Sequence, residues 1–143
     1  MKEGLVNIVS AYAPQTGCSS EEKADFWQLL NGMMQSVSAE EQVLVLGDLN
    51  GHLGMARSGY KQVHGGYAIS NRNQEGEDVL AFMLTYDMAL TNTYFKKKNE
   101  HLATYSSSGI KTQIIFCLEK LLCHNTTYSS LTSSSTHHGN QQG

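Results

Sequence analysis

Val43-Leu44-Val45-Leu46-Gly47-Asp48-Leu49-Asn50-Gly51 decides how the rest of the chain is read: four apolar residues in a row, then an abrupt polar tip. A continuous apolar run bounded by turn residues is the pattern of a strand covered on both faces. Such a strand delivers polar groups at its end. Asp48 and Asn50 are two apart on this extended segment, so their side chains should leave the same side of the backbone. A carboxylate that takes a proton from water, beside an amide that donates to a phosphate oxygen, suits phosphodiester hydrolysis. The same Asp-x-Asn-Gly sequence also makes a turn cap, because Asp and Asn side chains bond their own backbone. A calcium-binding loop is excluded, since the later acidic ligands and the terminal Glu are missing.

Upstream, Leu5-Val6-Asn7-Ile8-Val9-Ser10-Ala11-Tyr12 is apolar, rich in β-branched residues and closed by Pro14, which predicts a strand ending at a breaker. Ser19 stands three residues before Glu22 in a capping-box spacing, and Phe26, Trp27, Leu29, Leu30, Met33 and Met34 follow at helical intervals. An amphipathic helix over about 20–37 is expected, with Met33 and Met34 in the core. Downstream, residues 51–72 lack periodicity and read as a long loop, of a length that is either functional or disordered. Helix resumes from about Gln74 to Tyr86, with Val79, Leu80, Phe82, Met83 and Leu84 as its buried side. Met88-Ala89-Leu90 and His101-Leu102-Ala103-Thr104-Tyr105 predict short strands, and Lys111 to Leu118 a longer one. Strand and helix alternate, so the fold class is α/β. From His124 to Gly143 the chain is Ser, Thr, His, Asn, Gln and Gly with no charged residue. The expected organisation is one domain over 1–120 and a disordered Ser/Thr-rich tail over 121–143.

The 143 residues suffice for one domain, and the net charge of −3 excludes the broad basic footprint of a typical nucleic-acid-binding domain. Lys96-Lys97-Lys98 is the one concentrated positive run, a solvated turn or a local phosphate contact. No stretch approaches the roughly 18 apolar residues of a membrane span, and no signal peptide is read at the N-terminus. Cys18, Cys117 and Cys123 are an odd number without metal-ligand spacing, which suits a reducing compartment. Localisation is therefore expected to be intracellular, nuclear or cytoplasmic.

Taken in order, Ser10-Ala11-Tyr12-Ala13-Pro14, Gly47-Asp48-Leu49-Asn50, Asn92-Thr93-Tyr94-Phe95, Thr104-Tyr105-Ser106-Ser107 and Lys111-Thr112-Gln113-Ile114 closely resemble the endonuclease/exonuclease/phosphatase superfamily. The wording is nearest to the apurinic-like endonuclease domains of non-LTR retrotransposons and to the craniofacial development protein group. Asn73-Gln74-Glu75-Gly76 before an apolar helix adds to the match, and the resemblance covers about residues 4–118. It implies a four-layer α/β/β/α sandwich (DNase I-like) with its active site at one edge of two packed sheets. It also implies Mg2+ as cofactor and DNA as substrate. Under it Asp48 would orient or deprotonate the attacking water, Asn50 would hold the scissile phosphate or that water, and Tyr12 would donate a hydrogen bond to the phosphate.

The chain departs from the family pattern at three places. The family's opening strand with an Asn, and the Glu that anchors the metal, have no counterpart here. In the family's Ile-Asp-Tyr-like segment an Asp orients a histidine, whereas Gln113-Ile114-Ile115-Phe116 puts Ile115 at that position. No Ser-Asp-His segment follows Leu118. A positioned acid or base contributes about 10²–10⁴ in rate, and a metal several kcal/mol more. The resulting expectation is a sandwich incomplete at both ends, an apolar sheet face that meets solvent, no metal ligand set and no catalysis. Two alternatives remain open: an active Mg-dependent endonuclease completed by another chain, and a non-catalytic binding module.

Overall fold

The apolar run at Val43–Leu46 becomes an inner strand of a mixed sheet in the computed structural model, which describes residues 4–94, 103–113 and 115–120. Val6–Tyr12 forms β1 and Gln42–Asp48 forms β2, joined through helix α1 over Ser20–Ser36. The two strands are parallel, in register from Val6 opposite Gln42 to Tyr12 opposite Asp48. A parallel pair needs a crossover of this length, and α1 supplies it. Helix α2 covers Gln74–Thr85 and leads into β3, Met88–Leu90. Tyr105–Ser107 (β4) and Ile110–Thr112 (β5) form a separate hairpin. β6, Ile115–Lys120, then runs antiparallel to both β2 and β3, giving the order β1-β2-β6-β3. The class is mixed α/β, as the alternation of patterns predicts.

Local chemistry explains the helix starts. Ser19 Oγ accepts from the Glu22 amide at 3.2 Å while the Glu22 carboxylate accepts from the Ser19 amide at 2.8 Å, so two donors that the first turn leaves open are paired. Asn73 caps α2: its Oδ1 accepts from the amides of Gly76 at 2.9 Å and His52 at 2.8 Å. The Asn73 amide in turn donates to the His52 carbonyl at 3.1 Å. This ties the start of α2 to the chain leaving β2. A side chain at Gly76 would collide with that same His52 carbonyl, so the Asn-x-x-Gly spacing records a cap and a close backbone approach.

One face of the sheet, carrying Ala11, Val43, Val45, Phe116 and Leu118, is buried in a single core with Leu30 and Met34 of α1 and Val79, Leu80 and Met83 of α2. Trp27 packs on Phe82 with ring centroids 5.4 Å apart, and Tyr86 donates to Asn31 Oδ1 at 2.7 Å, so the helices also lock to each other. The opposite face is uncovered among the described residues. Val6, Ile8, Tyr12, Leu46 and Ile115 are exposed there, Ile8 at 68%.

Several expectations are corrected. Val43–Leu46 is covered on one face only, because Leu46 is exposed and Leu44 half-exposed. In α1 the core stripe runs through Leu30 and Met34, whereas Leu29 and Met33 are exposed. Two adjacent apolar residues in a helix sit about 100° apart, so a single sheet face cannot cover both. Leu84 is only partly buried against the core. Of the strand expected over 101–105, His101 and Leu102 lie outside the described residues and only Tyr105 is in a strand, β4; of the one expected over Lys111–Leu118, Ile114 lies outside them and the rest is divided between β5 and β6.

Residues 51–72 contain no helix or ladder strand, yet Leu53, Val63, His64 and Ala68 are buried. The loop is therefore packed, with His64 bridging to Leu90 at the outer side of β3. Lys96–Lys98, Cys123 and the tail 121–143 lie outside the described residues. Among the described residues no helix is long and apolar enough to cross a membrane, and Cys18 is a free thiol.

Candidate active site at the strand tips

Gly47 lets β1 and β2 close at their carboxyl ends. Its φ is +149°, and a Cβ there would strike the Ala11 carbonyl, so no other residue fits between the strands at that level. The next register position holds the site: Tyr12 of β1, Asp48 of β2 and Ile115 of β6 lie side by side in one row across the sheet. The row belongs to the uncovered face. Tyr12 is 67% exposed, and among the described residues its hydroxyl has no hydrogen-bond partner.

Beyond Asp48 the extended alternation stops, which corrects the expectation that Asp48 and Asn50 project together from one strand. Asn50 has a φ of +48°, a left-handed conformation that Asn tolerates better than most residues. The turn carries the chain back over its own strand. The Asn50 backbone amide donates to Asp48 Oδ1 at 2.9 Å, and its side-chain amide donates to the Ala13 carbonyl at 2.8 Å. The Ala13 amide closes the ring of contacts on the Asp48 carbonyl at 2.8 Å. Asp48 and Asn50 thus come together as a turn that staples the ends of β1 and β2, with Tyr12 alongside.

The chemistry available at this tip is limited. Asp48 keeps one carboxylate oxygen outside the turn and Tyr12 offers an exposed phenol, so a water or an alcohol could be held between acceptor and donor. Ile115 supplies neither charge nor hydrogen bond where the resemblance would place an orienting carboxylate. Neither β1 nor β2 carries Lys or Arg, so these strands offer no cation to attract a phosphate. Among the described residues no group of three or more His, Cys, Asp or Glu side chains could hold a metal ion, and Asp48 is the sole carboxylate in its row.

Two buried polar groups lie outside the strand-tip row. Gln113, just ahead of β6, is buried, with an Oε1 that finds no partner. Its place inside the resembling Lys111–Ile114 stretch was the available signal. His64 is fully buried within the packed loop, and its burial pushes its pKa down to about 4, helped by the nearby Arg72. Nothing in the aperiodic sequence around His64 distinguishes it from the exposed polar residues beside it.

No family model, curated protein or solved structure matches this chain.

Proposed function

We propose that this chain is a nuclease-type α/β unit of the endonuclease/exonuclease/phosphatase kind, of retroelement character, in which the strand-tip residues serve the fold and do not hydrolyse phosphodiesters. The observation that carries this reading is the Asp48–Asn50 turn. A general base acts with partners that orient it and the water, whereas here one Asp48 oxygen is held by the Asn50 amide, the Asn50 side-chain amide is spent on Ala13, and Ile115 stands beside the oxygen that stays open. DNA is the polymer that the resemblance implies and Mg2+ its ion, with Tyr12, Asp48 and Asn50 the residues that the resemblance would put in contact with the scissile phosphate or its attacking water. The four-layer sandwich belongs to the proposal as well. An apolar face built from Ile8, Leu46 and Ile115 is what packing against a second sheet requires.

Nicking of a supercoiled plasmid, with Mg2+ and with EDTA, by wild type and Asp48→Ala tests it. Folded wild-type protein is expected to show no Mg2+-dependent nicking above the Asp48→Ala level. Nicking that needs both the metal and Asp48 would establish an active endonuclease instead.

A further inference from the structure

His64 is the one described histidine with no exposed surface, and its two ring nitrogens are held unequally. Nδ1 accepts a hydrogen bond from the Gly66 amide at 2.8 Å, which places the ring proton on Nε2. Nε2 is buried without a hydrogen-bond partner. Around the ring, the segment is fastened to β3 and to the 3₁₀ turn at Thr91–Thr93 that follows it. The Leu90 amide donates to the Val63 carbonyl at 2.9 Å, the Gly65 amide to Thr93 Oγ1 at 2.9 Å, and the Tyr67 amide to the Thr93 carbonyl at 3.1 Å. Arg57 closes the turn from within, its Nε donating to the His64 carbonyl at 2.8 Å.

We propose that residues 57–67 form an acid-released clasp, docked on β3 while the His64 ring is neutral and let go when the ring takes a second proton. The cause is an inversion of hydrogen bonding. A protonated ring carries N–H on both nitrogens, so the Gly66 amide would face a donor in place of its acceptor, and a buried cation would be left without a counterion. The charges around the ring add to this. Arg72 and Arg57 are the cations that act on it, and both disfavour a third positive charge. Glu77 of α2 is already engaged by the Tyr60 hydroxyl at 2.6 Å and by Arg72 at 3.2 Å. β3 and the 3₁₀ turn bring no charged side chain, and the Tyr94 hydroxyl donates to the Gln62 carbonyl. The backbones of Gly54 and of His64 itself favour the proton, but burial and Arg72 outweigh them, and Nε2 completes no hydrogen bond. The base of the loop is held separately, through His52 and Asn73 and through Arg72 on the Leu53 carbonyl at 2.7 Å. Release is thus confined to its middle.

The pH window follows from the ring. Released, it takes a proton near its ordinary value of 6.5; docked, burial first and Arg72 second hold it down to about 4. Docking is therefore at full strength above about pH 6.5 and weakens as pH falls towards 4. Between pH 7.5 and 5 the released population should rise about 30-fold.

Amide hydrogen exchange on the whole chain, corrected for intrinsic rates, tests this at pH 7.5 and 5. The amides of Gly65, Gly66 and Tyr67 are expected to be less protected than that of Val45 at both pH values. Their protection should fall about 30-fold on acidification, and His64→Gln should abolish that fall. Protection that does not change with pH would overturn the proposal. So would amides of the segment that exchange in step with Val45, since release would then be global unfolding. If His64→Gln does not fold, the wild-type comparison still decides.

Discussion

At Gly76 an added methyl group would be driven into the carbonyl oxygen of His52, the group that accepts from Asn73 and fixes the start of α2 to the end of β2. Neither backbone can retreat without losing the cap. Gly76→Ala should therefore destabilise the protein by about 2 kcal/mol or more despite the better helix propensity of alanine. It should be read as a lower urea midpoint at unchanged slope. Asn50 shows the opposite case, a residue for which the sequence supported two readings. Its spacing from Asp48 allowed a shared catalytic face or a turn, and the left-handed φ decides for the turn. Sequence spacing carries the strand's alternation only as far as the strand itself extends. The polar tip marks where β2 ends, but not which way Asn50 turns once the strand has stopped.

Among the elements, those fixed by local chemistry were legible and those fixed by partners were not. The capping box at Ser19 and Glu22 and the breaker at Pro14 act within a few residues, and α1 and β1 fall where these signals put them. Which side of α1 is buried depends on what packs against it. Leu29 and Leu30 are equally apolar in sequence, yet only Leu30 faces the sheet and α2. The same holds for Val43–Leu46, whose unbroken apolar character suggested cover on both faces. Residues 51–72 are legible as lacking regular structure, but their packing rests on side-chain to carbonyl bonds such as Arg72 to Leu53 and Arg57 to His64. Arg72 also lies over the Tyr60 ring at 4.9 Å. Such contacts leave no period to detect.

For the molecule as a whole, a sheet face left uncovered among the described residues is the main consequence of this arrangement. Val6, Ile8, Leu46, Ile115 and Tyr12 are exposed on one side of β1, β2 and β6, with Ser10 and Asp48 among them, and exposed apolar groups gathered on one face mark an interaction site or an aggregation liability. Ile8→Lys combined with Leu46→Lys should sharply reduce binding of an apolar fluorescent dye and self-association. Stability in urea should stay within about 0.5 kcal/mol of wild type, since neither side chain contributes to the core. Unchanged dye binding would mean that the face is covered. At the point where β1 and β2 meet, the Asp48 carboxylate serves the backbone. Urea denaturation of wild type, Asp48→Asn and Asp48→Ala side by side tests that claim most directly. Asn keeps an oxygen that can accept from the Asn50 amide, so it should match wild type to within about 0.5 kcal/mol, whereas Ala should lose about 1 kcal/mol. An Asp48→Ala protein as stable as wild type would show that the carboxylate is free of any structural task, and the account would be contradicted.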